Sequence, residues 1–446
     1  MTQKRIRLSP VRIIALGFLA MILIGAGLLM LPVSSRSRES LGFFDALFTA
    51  TSACCVTGLV VVDTWTRFSL FGQVVLLVLI QIGGLGFMSV ATLFSLALGK
   101  RIGLRERSLL MESVSSLHIG GVVLLLRRVL IGTAVFEGAG AVLLAFRFCP
   151  SLGLARGLWY GVFHAVSAFC NAGFDLMGRF EPFSSLMRFQ SDVYVNVIIM
   201  LLILLGGTGF VVWQDVLVNK LHFSRYMLHT KIMLSASVIL VLLPAAVFFI
   251  TERDASMSGM GVGERVLASL FQSVTARTAG FNTVDLAKLN GGSTILFCLI
   301  MTIGAGAGST GGGIKVTTFV MIALYVAAFC RGRSDAQIFG RRLDEAQLRR
   351  AFCATAFFVG LAIFGCFVLL AVQPLEVQDV LLEVFSATGT VGVSAGITRS
   401  LAPVSRAVLI LLMYCGRMGS ITLAMAVAEK KSNAKIQKPV EKIIVG

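Results

Sequence analysis

The chain has 446 residues, of which 57% are apolar and only 14% charged, with a net charge of +17 and a mean hydropathy of +0.89. This composition excludes an ordinary soluble enzyme and indicates an integral membrane protein. The nine cysteines lie mostly in or near apolar segments, at no metal-ligand spacing. We therefore expect reduced thiols rather than a disulfide framework, with Cys54 and Cys55 as the one pair of note.

About eight membrane spans are predicted from apolar segments that are long enough to cross a hydrocarbon core of ~30 Å. They lie near residues 11–32, 70–98, 122–146, 193–218, 232–250, 293–330, 351–372 and 404–428. The first run lacks a small-residue cleavage site, so we predict a span and not a removable signal peptide. The sixth would be ~57 Å long as one helix, so it must be interrupted, and its Gly-rich stretch is the only plausible place.

Basic residues are concentrated in alternate connections between the spans. The N-terminus, residues 99–128, 213–231, 331–350 and the C-terminal tail contain 24 basic and 8 acidic residues, whereas the opposite loops contain 13 of each. The positive-inside rule then predicts a cytoplasmic (inner) membrane protein with both termini in the cytoplasm. Because the charge is divided among five short segments, we expect no nucleic-acid partner.

Four copies of one pattern occur in the outer loops. They read SACCVTGL (52–59), SAFCNAGF (167–174), VTARTAGF (274–281) and SATGTVGV (386–393). Six positions before the shared glycine stand Ser52, Ser167, Val274 and Ser386. Each copy follows an apolar segment of about 10 to 15 residues, which is too short to cross a bilayer. Such self-similarity indicates a structural unit that is repeated four times.

A single glycine of this kind would indicate a tight turn, but four copies favour re-entrant pore helices around a water-filled path. Each short helix would direct its C-terminal end, equivalent to roughly half a negative charge, toward a common axis. Backbone carbonyls there can replace the hydration shell of a potassium ion. Because the four loop segments differ in sequence, they would form fewer regular rings of carbonyls than four identical segments. Selectivity among cations should therefore depend mainly on the ring nearest the glycines.

We therefore predict an all-α integral membrane protein in which four tandem helix–pore-helix–helix units surround one pseudo-fourfold pore. The units cover residues 11–98, 122–218, 230–330 and 351–428, between a cytoplasmic N-terminus at 1–10 and a tail at 429–446. The predicted ion-binding filter consists of Cys55, Val56, Thr57, Gly58, Asn171, Ala172, Gly173, Thr278, Ala279, Gly280, Thr390, Val391 and Gly392. Potassium is expected at the four glycines.

The stretch GAGAGSTGGGIKVTT begins at Gly304 and is similar to a nucleotide-binding loop. Gly308 and Gly313 have the required spacing, but Ile314 occupies the position of the essential lysine and no strand leads into the loop. These departures argue against a phosphate cradle. The related GGLGF (83–87) and GGTGF (206–210) can equally be close-packing sites between helices.

The chain resembles the superfamily of potassium transporters that includes the bacterial Ktr and Trk systems and plant HKT proteins, most closely the membrane-spanning B subunit of a Ktr system. The resemblance lies in TATSACCVTGLVVVD, SAFCNAGFD, QSVTARTAGFNTVD, GSTGGGIK and the late GRMG, and it covers all four units. It implies an intramembrane gate beneath the filter at 304–313. The implied gate residues are Gly304, Gly306, Gly308, Ser309, Thr310, Gly311, Gly312, Gly313, Lys315 and Arg417.

The same resemblance implies potassium uptake by a homodimer that docks on a cytosolic nucleotide-binding ring, the Ktr-type A subunit. It leaves open whether sodium stimulates uptake, and no organic cofactor is expected in this chain. The basic segments are either docking surfaces or contacts for anionic membrane lipid.

Glycine in all four filter segments is typical of potassium preference in this superfamily. Cys54 and Cys55 replace small or hydroxyl residues, and Ser420 stands where a proline is common.

Four further polar residues are notable. Glu137 lies deep in an apolar segment, where a functional carboxylate and a structural hydrogen bond are both plausible. His164 and Asn171 are expected to brace the second pore helix rather than contact the ion. Arg277 would repel a cation, so we expect Asp285 to offset its charge.

Two other classes of function remain. A coupled cation symporter would also use broken helices, but it usually has two inverted halves. A membrane-embedded enzyme would need a nucleophile with its base or a metal set, and no histidine lies at ligand spacing with a carboxylate inside a span. The histidines are His118, His164, His222 and His229.

Overall fold

The computed structural model describes residues 10–86, 122–220, 222–333 and 335–419. In these ranges the regular secondary structure is helical, apart from a two-stranded antiparallel hairpin of β1 (Gln337–Ile338) and β2 (Arg341–Arg342). Loops and turns connect these elements. Helices satisfy their own backbone hydrogen bonds, which lipid demands of a spanning segment. The predicted N-terminal segment 1–10, except Pro10, the second half of the span 70–98, the end of the span 404–428 with Ser420, and the tail lie outside the described residues.

The first unit contains α1 (Pro10–Met30), the short α2 (Phe43–Cys54), a single turn α3 (Thr64–Arg67) and α4 (Leu70–Leu85). α4 begins where the Ser69 side chain accepts a hydrogen bond from the amide of Gly72 at 3.3 Å. Such a cap satisfies one of the free N–H groups of a helix start.

The second unit contains α5 (Val122–Leu152), α6 (Leu154–Phe169), α7 (Val193–Thr208) and α8 (Phe210–Asn219). The segment of the predicted span 193–218 is bent in the structure, because α7 and α8 meet at an angle of 95°. Gly209, between them, has φ +98°, which ends the right-handed helix at this point.

The third unit contains α9 (Leu228–Thr251), α10 (Val262–Thr275), α11 (Gly291–Thr302) and α12 (Val316–Cys330). The predicted interruption of the span 293–330 is present: residues 303–315 are not helical.

The fourth unit contains α13 (Glu345–Val372), α14 (Val377–Gly389) and α15 (Pro403–Met418). α15 begins with a proline, which has no N–H group to leave unsatisfied at that position.

Four described helices are long and apolar enough to cross a membrane, or five if the bent pair α7 and α8 counts as one span. They are α1, α5, α9 and α13. On α9 the exposed side chains are apolar: Val238, Ile239, Leu242 and Leu243 have 57–64% of their surface exposed. By contrast, many serine and threonine side chains are buried between the helices. An apolar exposed face on a helix of this length is suited to contact with lipid.

In three units the short helix ends directly against a glycine of the following long helix. A Cβ placed on Gly83, Gly206 or Gly416 would lie inside 3.0 Å of the carbonyl oxygen of Cys54, Phe169 or Thr388, respectively, closer than side-chain carbons approach. These glycines therefore fix the depth at which α2, α6 and α14 end. The contacts of Gly83 and Gly206 support the interpretation of GGLGF and GGTGF as close-packing sites between helices.

We predict that Gly206→Ala destabilises the protein by about 1–3 kcal/mol, the usual cost of overpacking. Its Cβ would meet the backbone oxygen of Phe169, which cannot rotate away. The measurement is the thermal unfolding midpoint of the detergent-solubilised chain. Gly360→Ala is the control, because nothing lies within 4 Å of its Cβ position. Equal midpoints for the two variants would contradict this packing argument.

Candidate functional site

The four loops that follow α2, α6, α10 and α14 share one backbone conformation. We call them arms 1 to 4, each consisting of the three residues that end at its shared glycine. In every arm the first residue and the glycine have positive φ, from 51° to 98°. The first residues are Val56, Asn171, Thr278 and Thr390, which must adopt a conformation that is rare outside glycine.

The arms contact each other in cyclic order. A Cβ on Gly58, Gly173 or Gly280 would lie within 2.7 Å of the carbonyl oxygen that precedes the glycine of the next arm. Gly392 closes the cycle, because its Cβ position meets the carbonyl of Thr57 in arm 1. Any side chain at these glycines would therefore collide with a neighbouring backbone.

The amide groups of the arms are directed back to the helices that precede them. The middle residue of each arm donates its N–H to a carbonyl near the end of the helix that precedes that arm, at 2.7–3.0 Å. The pairs are Thr57 to Ser52, Ala172 to Ser167, Ala279 to Thr275 and Val391 to Ser386. In arms 1 and 4 the serine hydroxyl also accepts from the glycine N–H, at 3.1 and 2.9 Å.

Unlike these amides, the carbonyl groups of the arms have no hydrogen-bond partner among the described residues. Among the described residues, none donates a hydrogen bond to any of the twelve arm carbonyls. More than 90% of buried backbone carbonyls in proteins have a partner. Twelve free oxygens at one place therefore form a candidate binding site, and they belong to twelve of the thirteen predicted filter residues. Cys55 is the exception, since it lies one position before arm 1 as the C-cap of α2.

The third arm differs from the predicted alignment. The sequence pattern matched Val274 to the serines of the other copies, but the structure places Thr275 there. Thr275 donates its hydroxyl to the carbonyl of Phe281 at 2.7 Å, as Ser167 does to Phe174 at 2.7 Å. The turn in arm 3 is thus one residue shorter. A hydroxyl residue five positions before Gly280 was the signal that alignment on the glycine alone missed.

The Gly-rich loop 303–315 lies against the first residues of three arms. A Cβ on Gly311 would meet the hydroxyl of Thr278, and one on Gly312 would meet the hydroxyl of Thr390. Thr310 donates its hydroxyl to the carbonyl of Phe169, at 3.1 Å, where α6 ends. The predicted gate residues from Gly304 to Gly313 are thus brought to one end of the arms.

Backbone bonds fix this loop to the bend of the second unit. The amide of Gly306 donates to the carbonyl of Gly207 at 2.8 Å, and the amide of Phe210 donates to the carbonyl of Gly308 at 2.9 Å. Ser309 donates its hydroxyl to the carbonyl of Gly306 at 2.7 Å.

Two cationic side chains donate hydrogen bonds to carbonyls of the loop. Lys315 donates from Nζ to the carbonyl of Gly311 at 2.8 Å. Arg417 on α15 donates to the carbonyls of Thr310 and Gly83, and to that of Gly84 at 3.1 Å. Arg417 therefore links the loop to α4 of the first unit.

Asn171 and His164 brace the second arm. With its amide nitrogen directed at the carbonyls of Ala168, Phe169 and Ile203, Asn171 also accepts a bond from the hydroxyl of Thr278 at 3.2 Å. His164 bonds through Nδ1 to the carbonyl of Tyr160 at 2.8 Å and accepts at Nε2 from the amide of Leu176 at 3.3 Å.

The prediction that Asp285 offsets the charge of Arg277 is wrong. Asp285 pairs with Lys288 at 3.5 Å instead, and Arg277 points behind arm 3 to the hydroxyl of Ser237 on α9, at 3.3 Å. Arg277 is only 5% exposed. This contact could not be predicted from the sequence, because a partner on another helix produces no local spacing pattern.

On the far side of the arms from the loop is a cavity of about 100 Å³, lined by the four glycines and by Asp63, Asp175 and Arg399. Asp63 is bonded to the amides of Thr66 and Phe183 at 2.7 and 3.1 Å. Burial, and secondarily the charge of Asp63, raises the pKa of Asp175 to about 7. The cavity wall therefore gains negative charge as the pH rises.

All nine cysteines are free thiols, as predicted. Cys54 and Cys55 are buried at the end of α2. Among the described residues no group of three or more potential metal-binding side chains occurs. The donors gathered here are thus backbone oxygens, the ligands that hard cations prefer.

Apolar helices around a buried array of backbone oxygens indicate a multi-pass membrane transport protein. The family profile described as "TrkH: Cation transport protein" matches residues 10–438. The chain belongs to this family, and it is therefore a transport protein and not an enzyme.

Curated relatives match the chain over nearly its whole length. It is 39% identical to the Ktr system potassium uptake protein B of Bacillus subtilis (strain 168), over 99% of this chain and 98% of that protein. It is 40% identical to the potassium/sodium uptake protein NtpJ of Enterococcus hirae, with the same coverage. The crystal structure of the potassium transporter TrkH from Vibrio parahaemolyticus has the same fold, with a TM-score of 0.75, 18% identity and coverage of 96% of this chain and 87% of that one.

Proposed function

We propose that this protein takes up potassium across the cytoplasmic membrane, through a filter formed by the twelve arm carbonyls. The observation that carries the proposal is that no described residue donates to these oxygens, while the amide of each arm's middle residue is bonded back to the preceding helix. The printed names of the relatives, potassium uptake and potassium/sodium uptake proteins, support the choice of ion.

The proposed coordination needs no carboxylate. Carbonyl oxygens replace the hydration shell of the ion, and the C-terminal ends of α2, α6, α10 and α14 add a negative potential from four helix dipoles. The hydroxyls of Thr57 and Thr390 are buried and lack a partner among the described residues, so they can contribute further oxygens. Four units would thus enclose one pseudo-fourfold pore, with potassium bound at the glycine ring.

The Gly-rich loop 304–313 is proposed to be the gate. It lies across the end of the arms and is held by Lys315 and Arg417, whose positive charges oppose the passage of a cation. Movement of the loop would have to break the bonds of Arg417 first.

The assembly is proposed to be a homodimer with one pore per subunit, on a cytosolic nucleotide-binding ring of the Ktr A type. Both termini would face that ring, as the distribution of basic residues predicts. This chain has no nucleotide-binding fingerprint, so control by nucleotide would come from the partner. Anionic lipid would compete for the same basic segments.

A coupled potassium symporter is the second candidate. The bend between α7 and α8 and the break between α11 and α12 are features that coupled transporters also use. Coupling predicts that uptake requires sodium or a proton gradient, whereas a gated pore does not.

The test is rubidium uptake into proteoliposomes that contain the full chain, with potassium or sodium as the competitor. We expect potassium to block uptake and sodium to block it poorly. Gly173→Ser should lower this discrimination at least about tenfold, because the new side chain displaces the carbonyl of Ala279 and a distortion worth ~1.4 kcal/mol suffices.

Gly360→Ser is the matched control and should keep full discrimination, since its Cβ position faces open space. Equal block by both ions in the unaltered protein would refute the filter. Uptake that stops without sodium, or without a proton gradient, would favour the symporter. If the chain alone is inactive, the assay is repeated with the cytosolic ring added.

We predict that Arg417→Gln raises the maximal uptake rate about fivefold, with little change in the concentration for half-maximal uptake. The variant loses the link between the loop and α4 and removes a charge beneath the filter, and ~1 kcal/mol off the barrier gives that factor. Initial rates at saturating rubidium measure it. Arg128→Gln on the exposed face of α5 is the control, and a rate below that of the unaltered protein would contradict the gate.

Uptake at low potassium is predicted to fall as the external pH drops from 8 to 6. Asp175 has a pKa raised to about 7, so it is charged above that pH and neutral below it, and the cavity then attracts cations less. We expect the concentration for half-maximal uptake to rise about twofold, from the loss of one charge at a partly exposed site. Asp175→Asn should show the higher value at every pH, and a variant that keeps the pH dependence would assign it to another group.

A further inference from the structure

A carboxylate lies at membrane depth behind the second arm. Gln81 of α4 donates from Nε2 to both carboxylate oxygens of Glu137, at 3.1 Å each. None of the ion pairs formed by the described residues includes Glu137. A carboxylate is costly inside a bilayer, and an apolar side chain would fill this space at lower cost. Its retention therefore calls for a specific role.

The third member of the cluster connects the carboxylate to the arm. The Cys170 thiol lies 3.7 Å from Glu137 Oε1 and 3.7 Å from Gln81 Oε1, within the range of hydrogen bonds to sulfur. Cys170 is fully buried and is the C-cap of α6, so the next residue is Asn171, which begins arm 2. Glu137 therefore acts on the turn from which the arm starts.

The same part of α4 also carries the contacts of the gate. A Cβ on Gly84 would lie 2.7 Å from the Cys170 sulfur, so thiol and helix are in close contact. The carbonyl of Gly84 accepts the bond from Arg417 at 3.1 Å. The segment from Gln81 to Gly84 thus joins α5, the start of arm 2 and the residue that holds the loop.

Arm 2 can move very little without colliding with its neighbours, arms 1 and 3. Gly173 already approaches the carbonyl of Ala279 so closely that a Cβ there would lie 2.7 Å from it, and Gly58 has a similar contact with Ala172. A shift of the turn at Cys170 would change the spacing of arm 2 to both of its neighbours. Selectivity among cations depends on that spacing and on the field of the carbonyls.

We propose that Glu137 is a positioning residue of the second arm, which acts through Gln81 and Cys170 and sets the discrimination between potassium and sodium. This inference rests on the proposed function, because it concerns the same filter. Glu137 does not contact the ion. Its hydrogen bonds hold the turn in the position that the ring of glycines requires.

The test uses the full chain in proteoliposomes and compares the sodium and potassium concentrations that halve rubidium uptake. Glu137→Ala should lower the sodium-to-potassium ratio at least threefold. Glu137→Gln keeps the volume and one carbonyl oxygen for Gln81 Nε2, so its ratio should stay within twofold of the unaltered protein. Gln81→Met should act like Glu137→Ala, and the double variant should lose no more than either single one, as expected for one interaction.

Glu252→Ala is the matched control. Glu252 is also fully buried, but it lies at the outer end of α9, where it accepts bonds from Ser256 and Asn290 at 2.8–3.2 Å. Its loss should lower thermal stability and leave the ratio unchanged. If Glu137→Ala does not fold, Gln81→Met carries the test.

Three results would overturn the proposal. An unchanged ratio in Glu137→Ala or Gln81→Met, beside a selective unaltered protein, would mean that the cluster only packs. Equal loss in Glu137→Gln and Glu137→Ala would make charge, and not position, the cause. An unaltered protein without selectivity would instead refute the filter itself, which separates the two failures.

Discussion

Everything in this fold depends on keeping twelve backbone carbonyls free inside a membrane protein. A backbone oxygen without a donor is costly in a low-dielectric interior, so the rest of the structure has to hold these groups in place. The amides of the arms do so by bonding back to α2, α6, α10 and α14. The shared glycines allow each arm to approach the next without a side chain between them. An ion that binds the oxygens would supply the missing partner.

In the proposed path, the positive charges of Lys315 and Arg417 oppose the passage of a cation. The helix ends present negative potential to the arms, while Lys315 and, from α15, Arg417 donate to carbonyls of the Gly-rich loop. Both side chains donate to carbonyls of the loop or of α4, so their charges are held by hydrogen bonds and not by carboxylates. In the proposed gate, a cation that leaves the arms on this side would meet a closed and electrostatically unfavourable passage. Movement of one loop would change both features together.

Much of the site could be predicted from sequence because it is encoded locally. The short apolar segments before each glycine predicted the helices that precede the arms, and the length of the segment 293–330 required an interruption. The glycines were visible because four copies of one pattern repeat. In each case the physical requirement acts on residues that are close together in the chain.

The remainder depends on contacts between distant segments. GGTGF was interpreted as a possible packing site, and in the structure it is also a bend, with Gly206 against Phe169 and Gly209 at the turn. The partner of Arg277 lies on α9 and that of Glu137 on α4, and no spacing in the sequence points to either. Thr275 was misassigned because an alignment on glycines cannot detect a turn that is one residue shorter. Tertiary packing decided each of these points.

The most direct test of the account is anomalous diffraction from crystals of the protein grown with rubidium. The account predicts an anomalous peak enclosed by the carbonyl oxygens of Thr57, Ala172, Ala279 and Val391. Replacement of rubidium by sodium should remove it. A peak at the bend between α7 and α8 or at the break before α12, with none among the arms, would contradict the filter and would favour a coupled transporter.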